Sequence, residues 1–293
     1  MNRRMIFLAI TAVALATLAC SININLPSSE VVTGPTQTEN ITVPLLTDKQ
    51  AIADVTLQFG AGTLTLQPAT ASTTNLIEGT GKYNVVDLKP TVTINNNNIT
   101  IEQGNLKLTG IPVINSKVVN DWNLTLANAP MSLVIKAGAY EGNFELGGLS
   151  IHDLEVTDGA AKVNMSFSKP NLVQMSSLQY TTGASQVALK GLANAYATDV
   201  TFRSGAGDYT LDFTGDLRTN MTVNIESGVS QVTLVIPQGM NAQVITSTGL
   251  MTVSAGTGWQ QQGNTYSLSG RGNTITVNVK MGAGNLRLET STP

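Results

Sequence analysis

Six glycines, Gly138, Gly159, Gly183, Gly205, Gly228 and Gly249, stand 21, 24, 22, 23 and 21 residues apart. Each lies inside one frame: apolar, any, apolar, any, any, Gly, small, any, any, apolar, any, apolar. Val223, Ile225, Gly228, Val232 and Leu234 fill it, and so do Val200, Phe202, Gly205, Tyr209 and Leu211. Leu178, Tyr180, Gly183, Val187 and Leu189 repeat it, as do Leu154, Val156, Gly159, Val163 and Met165. The frame returns at Val277, Val279, Gly282, Leu286 and Leu288, and far upstream at Val55, Leu57, Gly60, Leu64 and Leu66. Two copies are degraded: Leu133, Ile135 and Gly138, and Val244, Thr246, Gly249 and Val253. A uniform repeat interval restricts the chain to architectures that stack one unit on the next.

Within each copy apolar and polar residues alternate, the period of a half-buried strand. The frame therefore predicts an all-β chain: a single-stranded, right-handed parallel β-solenoid with coils of about 22 residues and irregular capping segments at both ends. The glycine marks a corner where a side chain would clash or where φ must be positive. The small residue after it is expected to point inward. Val163, Val187, Tyr209, Val232 and Val253 should stack as one internal ladder, with Lys162, Gln186, Asp208, Gln231 and Thr252 on the outside. Two gaps interrupt the period. The first predicts extra strands joined by a GTGK turn at 79–82 and a turn at Asn95–Asn98. The second predicts a hairpin around Trp259 and Tyr266. Residues 67–130 are assigned as one cap and 254–290 as the other.

The N-terminus reads as a targeting segment. Arg3 and Arg4 precede a 15-residue apolar run, Met5–Ala19, which is short for a bilayer span of about 20 residues. It ends in TLAC, and Cys20 is the only cysteine, so no internal disulfide can form. A cysteine after a small residue at this place resembles the bacterial lipobox, with Thr17 where Leu usually stands. That resemblance implies lipidation of Cys20 and attachment to the outer side of a membrane. The Pro-containing stretch that follows would act as a tether, with an end-to-end distance of roughly 25–30 Å. The domain reading is a signal segment at 1–20, a tether at 21–44, an N-terminal β region at 45–112 and the repeat region at 113–293.

Charged residues make up only 12% and the net charge is −3, which offers no basic field to nucleic acid. His152 is the only histidine, and it sits in a strand-like IHDLEV stretch with no nucleophile elbow nearby. One Cys and one His cannot furnish a zinc site. GAGDYTLD at 205–212 does not make a calcium repeat, because the counterparts of Asp208 are Lys162, Gln186 and Gln231. No GK[ST] loop is present, and no cofactor is expected. Asp208, Asp212 and Glu226 are the acids that a carbohydrate-active enzyme could use. Scattered acids on a solvated face are the plainer reading.

The FGAGTLTL phrase at 59–66, the later GAY, GAA, GAS and GAG corners, and VIPQGMNAQV at 235–244 resemble the bacterial toast-rack family. That family is related to solenoid domains of surface adhesins and to the C-terminal domain of LiaF-type envelope-stress regulators. The likeness spans about residues 47–290 and implies a β-solenoid. The expectation is a lipid-anchored, non-enzymatic surface protein that meets a membrane through its anchor and an envelope protein or glycan through its solenoid, with no nucleic-acid partner. Two alternatives stand beside it: an accessory or sensor subunit of an envelope-stress system, and a carbohydrate-active enzyme.

Overall fold

The computed structural model describes residues 28–70, 73–104, 111–113, 118–247 and 249–291. The signal-like segment and Cys20 lie outside the described residues. The strands are β1 (Ser28–Glu30), β2 (Gln37–Pro44), β3 (Ala53–Pro68), β4 (Asn75–Tyr83), β5 (Pro90–Asn95), β6 (Asn98–Gln103) and β7 (Ile111–Val113). They continue with β8 (Asn120–Leu126), β9 (Pro130–Glu145), β10 (Ser150–Asp158), β11 (Ala160–Ser166), β12 (Met175–Lys190) and β13 (Ala197–Asp212). The last are β14 (Met221–Pro237), β15 (Met240–Thr246), β16 (Leu250–Ala255), β17 (Gln260–Gln262), β18 (Thr265–Leu268) and β19 (Arg271–Ser291). The described residues are all-β apart from two short 3-10 turns, at Val86–Leu88 and Leu192–Ala195.

Contacts divide the chain into two units. The smaller comprises residues up to Val32 together with 107–117, and in it β1 pairs in parallel with β7. The larger comprises 33–106 and 118–293 and carries the repeats. Its long strands pair in parallel and in the register of the glycine frame. β3 pairs with β9 from Ala53–Met131 to Leu66–Phe144, and β12 with β13 from Met175–Ala197 to Leu189–Leu211. β13 pairs with β14, and β14 with β19 from Met221–Ile275 to Pro237–Ser291. Between β9 and β12 one coil is broken at Gly159 into β10 and β11. Both halves pair with both neighbours, which closes a ring of four strands.

A straight strand keeps its buried residues on one parity. Here parity flips at every glycine. Leu178 and Tyr180 are buried before Gly183, and Val187 and Leu189 after it. The same seven-residue step separates Val156 from Val163, Phe202 from Tyr209, Ile225 from Val232 and Val279 from Leu286, all buried. Each long strand therefore bends at its glycine and sends both arms into one core. Burial of each such side chain contributes roughly 1.5–3 kcal/mol, and parallel neighbours sum these terms along every ladder.

Steric contact between coils accounts for the glycine. A Cβ on Gly183 would stand 2.3 Å from the Gly159 carbonyl oxygen, one on Gly205 2.7 Å from that of Gly183, and one on Gly228 2.6 Å from that of Gly205. None of these corner glycines has positive φ, so the conformational half of the expectation fails at the corner itself. Positive φ belongs instead to the second glycine of the GAG copies, Gly62, Gly207 and Gly284. The residue after the corner also departs from expectation. Ala139, Ala160, Ala184, Ala206 and Val229 point outward and are exposed, because the bend turns that position to the outside of the corner.

The order of the stack differs from the order of the chain. β19 lies between β14 and the pair β15–β16: Val232 is opposite Leu286, and Leu286 is opposite Val253. The segment assigned as a cap therefore supplies an interior strand. Its frame is complete in both arms, so it can be buried from both sides, while the degraded copy at 244–253 takes the outer seat. Only the β17–β18 hairpin of that segment lies outside the parallel ladder, antiparallel to β15, in keeping with the hairpin expected around Trp259 and Tyr266. At the opposite end β3 is flanked by β6 along one arm and by β8 along the other. Beyond them β4, β2 and β5 run antiparallel.

The turn at Asn95–Asn98 joins β5 to β6, with Asn96 at φ 54. GTGK is no turn, for Gly79 and Gly81 lie inside β4 against Asn123 and Trp122. The tether at 21–44 is shorter than its composition suggests. Gln37–Pro44 is strand β2, and its alternate Ile41 and Val43 are buried. Because β3 pairs directly with β9, the sheets run across the boundary drawn at 112/113.

Candidate binding groove

The position two residues before the corner glycine forms a continuous register row. Gln58 pairs with Lys136, Lys136 with Thr157, Thr157 with Thr181, Thr181 with Arg203, Arg203 with Glu226, and Glu226 with Lys280. Strand spacing of about 4.8 Å makes this row roughly 29 Å long. The glycine row runs beside it and carries no side chains; a Cβ would stand 2.3–2.9 Å from a neighbouring carbonyl oxygen at Gly138, Gly183, Gly205, Gly228 and Gly282. A shallow trench results. One cavity of about 670 Å³ is lined by Thr181, Thr182, Arg203, Ser204, Glu226 and Lys280, among others. A second of about 370 Å³ continues the same rows past Thr157 and Lys136 to Gln58 and Gln103.

Lys136, Arg203, Glu226 and Lys280 are all exposed. Arg203 Nε lies 3.5 Å from Glu226 Oε2, an exposed pair of the kind that contributes about 0–1 kcal/mol. Neither Lys136 nor Lys280 is in an ion pair among the described residues. The local balance is therefore positive on a chain whose net charge is −3.

Next to this row, one residue closer to the corner, comes a line of hydroxyls and one acid: Asp158, Thr182, Ser204 and Ser227. Asp158 is buried at 6% exposure and has no cation beside it among the described residues. Hydroxyls hold it. Tyr180 donates to Asp158 Oδ2 at 2.6 Å, Tyr140 donates to the same oxygen at 3.4 Å, and Thr182 donates to Oδ1. The Thr182 and Ser185 hydroxyls are 2.6 Å apart, and Ser185 Oγ accepts the Ala161 N–H at 2.9 Å. Further along, Ser204 donates to Ser227 at 2.8 Å. Burial first, then the charge of Asp158, push the Tyr140 phenol above its usual range. Burial, then Tyr140 and Asp158, do the same to Tyr180. Both phenols thus stay protonated donors. The cluster fastens three coils beneath the trench.

The residues singled out in the sequence do not converge. Asp208 lies on the outward row beyond the corner, between Gln186 and Gln231, whereas Glu226 lies in the trench row. Asp212 ends β13 and accepts the Thr214 N–H at 2.8 Å. His152 sits at a register shift between Ile151 and Asp153. No group of three His, Cys, Asp or Glu could hold a metal among the described residues, and no described helix is long and apolar enough to cross a membrane. Sequence reasoning missed the trench row, although reading the frame two places before each glycine yields Lys136, Arg203, Glu226 and Lys280 directly.

The sequence model for the N-terminal domain of toast_rack, DUF2154, matches residues 32–174 and again 171–235. No curated protein matches the chain. Among solved structures, a candidate cell adhesion protein from Clostridium sporogenes is similar, at 20% identity and a TM-score of 0.46, covering 88% of this chain and 100% of that one. A candidate adhesin from Parabacteroides merdae follows at 10% identity and 0.40, covering 89% and 98%. A candidate lipid binding protein from Parabacteroides distasonis stands at 9% identity and 0.35, covering 89% and 99%.

Proposed function

Because the chain belongs to the toast-rack family, we propose that it is a lipid-anchored, non-enzymatic surface protein whose larger unit is one right-handed, single-stranded β-solenoid. The parallel registers support the solenoid: opposite residues such as Lys162, Gln186, Asp208 and Gln231 differ by 24, 22 and 23 positions. The right hand follows from the general handedness of parallel crossovers. Cys20 carries the anchor, and the corner trench is the surface that engages the cell envelope.

One observation carries the binding role: a single row of polar and charged side chains, most of them exposed, borders an open trench for its whole length. Thr181 stands near its middle and is half-buried, so a bulky residue there obstructs the trench without entering the core. Cys20→Ser, which removes the anchor and leaves the trench, and Cys20→Ser/Thr181→Trp, sedimented with isolated envelope fragments, should differ about tenfold in binding, which corresponds to about 1.4 kcal/mol. Equal binding would overturn the trench as the engaged surface. Palmitate should label wild type and leave Cys20→Ser unlabelled; an unlabelled wild type removes the anchor.

A further inference from the structure

We propose that the trench takes a linear acidic polysaccharide, an inference that rests on the reading of the trench as a binding surface and names its ligand class. Length suits a polymer: the row runs roughly 29 Å in the open, across seven coupled positions. Charge spacing then narrows the class. Lys136 and Arg203 are three strand spacings apart, about 14 Å, and Arg203 and Lys280 are two, about 10 Å. A strand of nucleic acid carries a phosphate about every 3.4 Å. Such a ligand would set most of its charges against Thr157, Thr181 and Glu226, which do not neutralise them.

A polymer with sparse acids and many hydroxyls fits better. Its carboxylates meet Lys136, Arg203 and Lys280, and its hydroxyls meet Thr157 and Thr181 between them. Phe59, which lines the second cavity, is buried, and Tyr140 and Tyr180 beneath the trench are buried and committed to Asp158. They offer no face for stacking bases or sugar rings, so recognition here works through charge and hydrogen bonds. Exposed charges of this kind are screened by salt, and binding must weaken as ionic strength rises.

The test measures binding of fluorescein-labelled hyaluronan fragments, which carry a carboxylate on every second sugar only, to the full chain, with neutral dextran, oligo-dT and polyphosphate as comparison probes. Salt is varied from about 50 to about 500 mM, over which the screening length falls several-fold. Wild type should bind hyaluronan and lose affinity with salt. The triple variant Lys136→Gln/Arg203→Gln/Lys280→Gln should bind about tenfold more weakly. Lys162→Gln, outward but beyond the corner, should stay within about twofold. Circular dichroism of the triple variant should match wild type, since all three side chains are exposed. Equal binding by the triple variant overturns the proposal, as does tighter binding of oligo-dT or polyphosphate, or equal binding of dextran. In the Cys20→Ser background, envelope binding lost in Thr181→Trp but kept in the triple variant overturns the ligand class and leaves the trench in place. Envelope binding kept in both variants overturns the trench itself.

Discussion

The two ends of the parallel stack are finished differently. At the β3 end both arms are paired, Asp54–Gln58 with β6 and Thr63–Pro68 with β8. The glycine row is closed there too. Gln103 Oε1 accepts the Gly60 N–H at 2.9 Å and the Asn120 side-chain amide at 2.6 Å. At the other end β15 is covered by β18, but β16 pairs only with β19 among the described residues. Leu250 on β16 is 85% exposed. The repeat supplies register, and non-repeating residues have to supply termination. Antiparallel strands can stop a parallel stack, whereas an uncovered arm leaves open backbone groups.

The strongest way to break this comparison is a charge in the shared ladder. Val232 is fully buried between two coils, while its counterpart Val253 is half-buried at the open end. Val232→Asp should cost about 4 kcal/mol and Val253→Asp about 1 kcal/mol in denaturant unfolding. The outward neighbour change Gln231→Asp should fall within about 0.5 kcal/mol. Equal losses at Val232 and Val253 would mean that the open end is as tightly held as the middle.

A second pair keeps the clash constant and varies only the surroundings. A Cβ meets a carbonyl oxygen at 2.3 Å on Gly183 and at 2.3 Å on Gly249. In the middle of the stack neither coil can give, and Gly183→Ala should cost about 3 kcal/mol. At the open end β16 can yield, and Gly249→Ala should cost about 1 kcal/mol. Thermal melts of the two variants decide it, and matching shifts would contradict a looser end.

The smallest effect concerns pH. Tyr180 has a raised phenol, so the folded state favours its protonated form. Stability from this group is complete below the unfolded value of about 10 and is lost as pH rises beyond it. Wild type should therefore lose stability above about pH 10, and Tyr180→Phe should flatten that loss while starting lower at neutral pH. Parallel curves for the two proteins would remove the phenol from the linkage.

Much of the fold is legible in the sequence because the glycine frame couples two periods, the strand alternation and the coil interval. It places Val163, Val187, Tyr209 and Val232 opposite one another, as their registers show. Stack order is not legible. A repeat states which positions match, and every copy matches every other, so nothing local reveals that Leu286 intervenes between Val232 and Val253. Asp158 is hidden for a different reason. In VTDGAA it keeps the inward parity of Leu154 and Val156, and what the sequence does not reveal is the set of hydroxyls, from Tyr140, Tyr180 and Thr182, that lets an acid stay there. Lys136, Arg203 and Lys280 are readable from the frame, but a search for catalytic pairs passes over them to Asp208 and Asp212.

The seat of β19 has a consequence for the way the molecule is made. Its pairing with β14 joins positions 54 apart, such as Val232 and Leu286. A chain that emerges from its N-terminus produces β15 to β18 before the strand that must lie between them and β14 exists. Coils from β3 to β14 can close one after another as they appear. The final coil has to wait, held apart from its place, until Arg271–Ser291 arrives to be inserted. Assembly of this end is therefore a single late event, and a chain stalled between Thr246 and Arg271 carries a strand edge along the whole of β14 with nothing yet made to cover it.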